Sequence, residues 1–212
     1  MAIPRRRNLV FLVLVLVSSV VASMLPEING INAVAATTAP KVLVLNTSNN
    51  RLDGVSLISG TPSKYVGLAQ SRLLPALESK MGAVTVISST MCREKLPVKV
   101  AEWKDLSVVF EGGKFALLLY NYGGWSHSQG THPPLPPVGV ALRPIIKTNF
   151  GATVGDSAAR LMSLNPRLRG DSTGFYVVSA FTTLVMTKRA GAIGSNSSTF
   201  LVSQIEVATG NC

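Results

Sequence analysis

Arg5-Arg6-Arg7 is followed by an apolar run, Leu9 to Val17, that continues less strictly to Leu25. Three cations stopping abruptly at a wholly apolar cylinder leave no amphipathic stripe, so a buried core helix is a poor reading. The layout is that of a secretory signal. Small residues at the last and third-last positions of a cleavage site occur at Val21-Ala22-Ser23 and at Ala33-Val34-Ala35. The second is favoured, because the spacer Pro26 to Asn32 holds Glu27, Asn29 and Gly30, which suits a polar region before cleavage. Residues 1–35 are therefore read as a signal peptide or signal anchor and residues 36–212 as a single globular domain, secreted or at the cell surface. In the signal-anchor alternative, the 17 residues from Leu9 to Leu25 reach the lower limit for a span. Membrane contact then runs only through residues 8–25, with the arginines cytosolic.

Without residues 1–35 the chain loses three arginines and Glu27, leaving 17 basic and 9 acidic residues and a net charge of +8. Such a field favours acidic polysaccharide or another anionic surface ligand, while nucleic acid is an unlikely partner after export. Arg93, Lys95 and Lys99 come nearest to a basic patch, with Arg160, Arg167 and Arg169 second. Neither is interleaved with aromatics as a single-strand binder requires.

The two cysteines, Cys92 and Cys212, read as one disulfide in an oxidising compartment. Closing so long a loop would contribute about 4 to 5 kcal/mol on the chain-entropy model. With no CxxC spacing, a redox motif or zinc knuckle is excluded.

Val42 to Leu45, Ala83 to Ile87 and Phe115 to Tyr120 are nearly continuous apolar runs, the pattern of strands buried on both faces. Between the first two, Val66, Ala69, Leu73, Leu77 and Met81 recur at helical spacing. This predicts a helix over 62–81, capped by Thr61 and kinked or broken at Pro75. Strand, helix, strand makes a right-handed crossover the default. A competing reading makes Leu106 to Phe110 and Phe115 to Tyr120 a hairpin about Glu111-Gly112-Gly113-Lys114. A second helix is predicted from Asp156 as cap to Asn165-Pro166. Phe175 to Thr187 and Thr199 to Val207 read as two long antiparallel strands. The fold class is α+β: a small mixed sheet, one or two helices and a C-terminal antiparallel hairpin, with a β-sandwich as the alternative. Pro133-Pro134-Leu135-Pro136-Pro137 predicts a stiff extended segment.

The loop after Tyr120 holds the candidate site. Asn121, Tyr122, Trp125 and His127 are the candidate ligand-binding residues, with Tyr120 a further flat face and Gly123 and Gly124 permitting close approach. Rings beside amides and hydroxyls suit a sugar, which stacks and hydrogen-bonds at its edges. His127 and His132 lie five apart, but no Cys or carboxylate within ten residues completes a tetrahedral set, so no metal is expected. Gly124-Trp125-Ser126-His127-Ser128 lacks the second glycine of a nucleophile elbow. A hydrolase would need Ser126, His127 or His132 and a distant acid such as Asp156 or Asp171. GxGxxG, Walker, HExxH and EF-hand patterns are absent, and no cofactor is expected.

Asn46-Thr47-Ser48 and Asn196-Ser197-Ser198 match the N-glycosylation acceptor, relevant in a eukaryotic secretory pathway. Arg169-Gly170-Asp171 resembles an adhesion tripeptide but reads as a plain Gly-Asp turn. The leading expectation is an exported basic domain that binds an anionic or glycan ligand. A secreted hydrolase using His127 or His132, and a structural envelope protein, are the alternatives.

Overall fold

β1 (Val42–Asn46) buries Leu43 and Leu45 and exposes Val42 and Val44. The first apolar run is thus covered on one face rather than two. The computed structural model describes residues 41–61, 64–91, 97–127, 134–170, 174–188 and 199–209. All of them belong to one compact unit, Ala39–Cys212.

β1 lies in a four-stranded mixed sheet. It pairs in parallel with β10 (Ile145–Thr148) and antiparallel with β2 (Arg51–Leu52), which pairs with β3 (Val55–Ser56). β4 (Ile58–Ser59) and β5 (Val66–Gly67) form a two-stranded ribbon. The larger sheet has eight strands, all neighbours antiparallel. In spatial order these are β11 (Arg169–Gly170), β12 (Phe175–Val177), β13 (Thr182–Lys188), β14 (Phe200–Ala208), β9 (Lys114–Asn121), β8 (Leu106–Glu111), β7 (Pro97–Trp103) and β6 (Val86–Met91). Among the described residues the protein is sheet-dominated, with 45% in strands and two helices.

The right-handed crossover is overturned. β1 and β6 lie in different sheets, and Phe115 to Tyr120 belongs to the β8–β9 hairpin, as the competing reading had it. The third run is apolar throughout because both faces of the large sheet are covered. On one face Phe115, Leu118 and Tyr120 join Leu43, Leu45 and Ile146 of the small sheet and Leu73 and Leu77 of α1 (Gln70–Met81) in the main core. On the other, Val98, Val100, Val109, Leu117 and Leu119 form a second cluster, with Trp125 packed on it.

The helix predicted over 62–81 is shorter, because Val66 and Gly67 are drawn into β5. It starts after Ala69 with no side-chain cap, so Thr61 is not the cap; Pro62 lies outside the described residues. Gly67 crosses Phe115 so closely that a Cβ would fall on the Phe115 carbonyl. The helix runs on through Pro75 rather than breaking there. Pro75 and Ser71 are exposed, and water can take the carbonyl that proline leaves unbonded. Gly82 stops the helix at φ +89°, and its carbonyl accepts the Trp103 indole N–H at 2.9 Å, tying the helix end to β7.

α2 (Ala158–Leu164) is capped by Ser157 rather than Asp156: the Ser157 hydroxyl accepts the Arg160 N–H at 3.2 Å. Asp156 instead accepts the Thr153 N–H at 2.8 Å and pairs with Arg160 at 3.0 Å. Phe175 to Thr187 is two strands rather than one. Thr182 bonds back to Val178 and Ser179, so the chain reverses and β12 lies on β13. Arg169 and Gly170 stand in β11 opposite Val177 and Tyr176, so the predicted turn does not occupy them. Asp171, Cys92, Cys212, Asn196, Arg93, Lys95 and the N-terminal segment lie outside the described residues. Among the described residues no helix is long and apolar enough to cross a membrane.

Candidate functional site

β7 and β8 are joined through Lys104 and Asp105, with Lys104 in the left-handed region at φ +57°. This places Asp105 inside, 2% exposed, against the chain leaving β9. Its Oδ1 accepts the Gly123 N–H at 3.1 Å and its Oδ2 accepts the Arg143 N–H at 2.8 Å. Its backbone carbonyl accepts the Asn121 N–H at 3.1 Å. One residue thus holds the end of β9, the turn after it and the approach to β10.

Glu102, two residues before the β7–β8 turn, anchors the same segment from another side. Its Oε1 accepts the Trp125 N–H at 3.1 Å and lies 3.5 Å from the Ser107 hydroxyl. The chain can fold down onto it only because Gly123 and Gly124 adopt φ +88° and +63°. A Cβ on Gly124 would stand 2.6 Å from the Lys104 carbonyl, so this close approach requires glycine. The outcome is a 3-10 turn, Gly124–His127, pressed on the second face of the large sheet.

The candidate ligand residues separate under this geometry. Asn121 is fully buried, with its amide donating to Gln204 Oε1 at 2.9 Å. It is structural here and not open to a ligand. Tyr120 is likewise in the core at 1% exposure, and burial pushes its phenol up to about 12. Tyr122 and Trp125 are half-buried, the first packed on the main core and the second on the smaller cluster. Ser126 and His127 close the 3-10 turn, but their side chains, like the whole of His132, lie outside the described residues. Asp156, the candidate distant acid, is engaged by Thr153 and Arg160.

The register exposes a relationship that short sequence spacing conceals. Glu206 of β14 stands opposite Leu119, Leu119 opposite Ser107, and Ser107 opposite Glu102. Directly opposed residues share a face, so the two carboxylates lie on the second face in one transverse row. Three strand spacings set their Cα atoms about 14 Å apart. Glu206 accepts the Gln204 amide at 3.2 Å, and burial raises its carboxyl above the ordinary range, outweighing that hydrogen bond. Asn121, Gln204 and Glu206 thereby form a polar chain beside the apolar cluster. The Asn121 Oδ1 at its end is buried without a hydrogen-bond partner.

Glu102, Asp105, Ser107, Gln204 and Glu206 are the residues that sequence reasoning missed. The signals were faint: polar Gln204 and Glu206 two apart within a β-run, and an acid in the short break between two apolar runs. Among the described residues, no group of three His, Cys, Asp or Glu side chains is placed to hold a metal ion. A cleft of about 180 Å³ lies apart from this turn, where β5 crosses the β8–β9 hairpin, lined by Tyr65, Glu111, Lys114 and Thr209 among others.

No protein-family model, curated protein or solved structure matches the chain.

Proposed function

We propose that the chain is an exported binding module that takes a glycan at the turn Tyr122–His127. The supporting observation is that Glu102 and Asp105 fix the Gly123 and Trp125 amides of a two-glycine turn. Two half-buried aromatics, Tyr122 and Trp125, therefore flank a two-glycine segment with backbone amides already held before a ligand arrives. Preorganisation of this kind lowers the entropy cost of binding. The carboxylates of Glu102 and Asp105 put negative charge at the turn itself. This favours a neutral sugar at the turn over an acidic one, although the chain as a whole carries +10.

Export rests on Arg5 to Arg7 and the apolar segment that follows, with cleavage after Ala35 and a Cys92–Cys212 disulfide as its covalent marks. β6 and β14 run in the same direction in one sheet, so Met91 and Thr209, just before the two cysteines in the described chain, lie at the same end of it. Glycans at Asn46 and Asn196 belong to the same reading in a eukaryotic host. Asn46 ends β1, with its Oδ1 accepting the Ser48 N–H at 3.1 Å.

The test is binding of the full chain to neutral and acidic glycans at low and high salt, with Trp125→Ala and Tyr122→Ala alongside. Salt-insensitive binding to a neutral glycan, weakened about tenfold or more by either variant, is the expected result. Binding only to acidic glycans, abolished by salt, would move the site to a basic surface. Turnover that collapses in His127→Ala would replace binding with hydrolysis.

A further inference from the structure

β6 is the outermost strand of the eight-stranded sheet, and among the described residues nothing pairs with its outer side. Exposed strand edges template association, and proteins commonly guard them with charge, proline, bulges or brevity. β6 has none of these guards. Val86 to Met91 is six residues long, uncharged and free of proline, and it pairs with β7 without a register shift. The opposite edge, β11, is two residues long and carries Arg169. In the small sheet, β3 is equally short, and Thr153 and Ala152 bond to β10 at Ile146 and Thr148. Val86 is 47% and Ile87 51% exposed, although successive strand residues point to opposite faces. At Val86 and Ile87 both faces are therefore open.

The strand is also matched to itself. Antiparallel pairing of β6 with a second β6 about a two-fold axis through Ser89 sets Ile87 opposite Met91, Ser88 opposite Thr90 and Ser89 opposite Ser89 of the second copy. Each pair matches in kind: apolar with apolar, and hydroxyl with hydroxyl. Such cross-strand pairs stabilise a sheet, and the absence of charge removes the like-charge clash that a two-fold axis would otherwise impose. We infer that two copies of this chain associate through β6, joining their large sheets edge to edge in a closed, isologous dimer.

An interface of one strand pair is smaller than the roughly 1,200 Å² of a stable complex, so the dimer is weak and concentration-dependent. Both copies are basic, so salt that screens their mutual repulsion tightens it. The experiment is sedimentation velocity on the full chain from about 10 μM to about 1 mM, at low and high salt. Ile87→Lys and Val86→Lys test the edge, and Val42→Lys serves as a control on the exposed face of β1, with circular dichroism to show that each variant folds. The expected result is a dimer strengthened by salt, retained in Val42→Lys and lost in at least one folded edge variant. A wild-type chain that stays monomeric throughout overturns the inference, as does a dimer that persists in both edge variants or is lost in Val42→Lys.

Discussion

The carboxylate of Glu102 and the backbone N–H of Trp125, 23 residues apart in sequence, meet at 3.1 Å. A strand residue thereby fixes the place of an aromatic in the following turn. Glu102→Ala should cost about 1.5 kcal/mol, typical for a hydrogen bond to a charged group, and lower the melting temperature by about 3 to 6 °C. Glu102→Gln keeps an acceptor and should cost less. If Trp125 fluorescence and melting temperature are unchanged in Glu102→Ala, the bond does not hold the turn.

Asp105 uses both carboxylate oxygens as acceptors, for Gly123 and for Arg143. Asparagine has one oxygen and a nitrogen that cannot accept, so Asp105→Asn is not conservative here. We expect about 3 kcal/mol of destabilisation from Asp105→Ala and at least half of that from Asp105→Asn, since buried N–H groups lose their partners. Urea unfolding checks both values. A loss below 1 kcal/mol in each would mean that water replaces the carboxylate.

Glu206 sets a pH dependence of definite sign. Burial raises its folded carboxyl above the ordinary value, so between the unfolded and folded values the native state binds more protons. Its contribution to stability is then greatest at acid pH and is lost as pH rises from the ordinary carboxylate range through the folded value. Glu206→Gln keeps an acceptor for Gln204 and removes the buried charge. It should melt higher than wild type at pH 7 and show little or no such gain at pH 4. Equal displacement at both pH values would show that ionisation of Glu206 is not the cause.

Gly67 and Gly112 separate steric from conformational need. A Cβ on Gly67 would overlap the Phe115 carbonyl, whereas one on Gly112 meets nothing within 4 Å but sits at φ +54°. Gly67→Ala should displace β5 from β9 and cost about 3 kcal/mol or more. Gly112→Ala should cost about 1 kcal/mol of backbone strain. Parallel thermal melts rank the two, and the reverse order would contradict the crossing.

What the residues of this chain determine alone is local. Glu111-Gly112-Gly113-Lys114 between two apolar runs offers a hairpin turn, the spacing of Leu73 and Leu77 specifies a helical face, and the β-branched and aromatic content of Thr199 to Val207 specifies a strand. Contacts across the sheet decided the rest. Val66 and Gly67 have no local reason to leave the predicted helix; they do so because β4 and the close pass over Phe115 hold them extended. Continuous apolar runs announce a sheet covered on both faces but are silent on strand direction, so the parallel crossover and the antiparallel hairpin looked alike until pairing chose between them. The site divided in the same way. Its aromatics and glycines stand within a few residues of each other and were legible, whereas Glu102 and Asp105 come from β7 and the turn after it and reach it through register, a property of paired backbones that no single stretch of sequence carries.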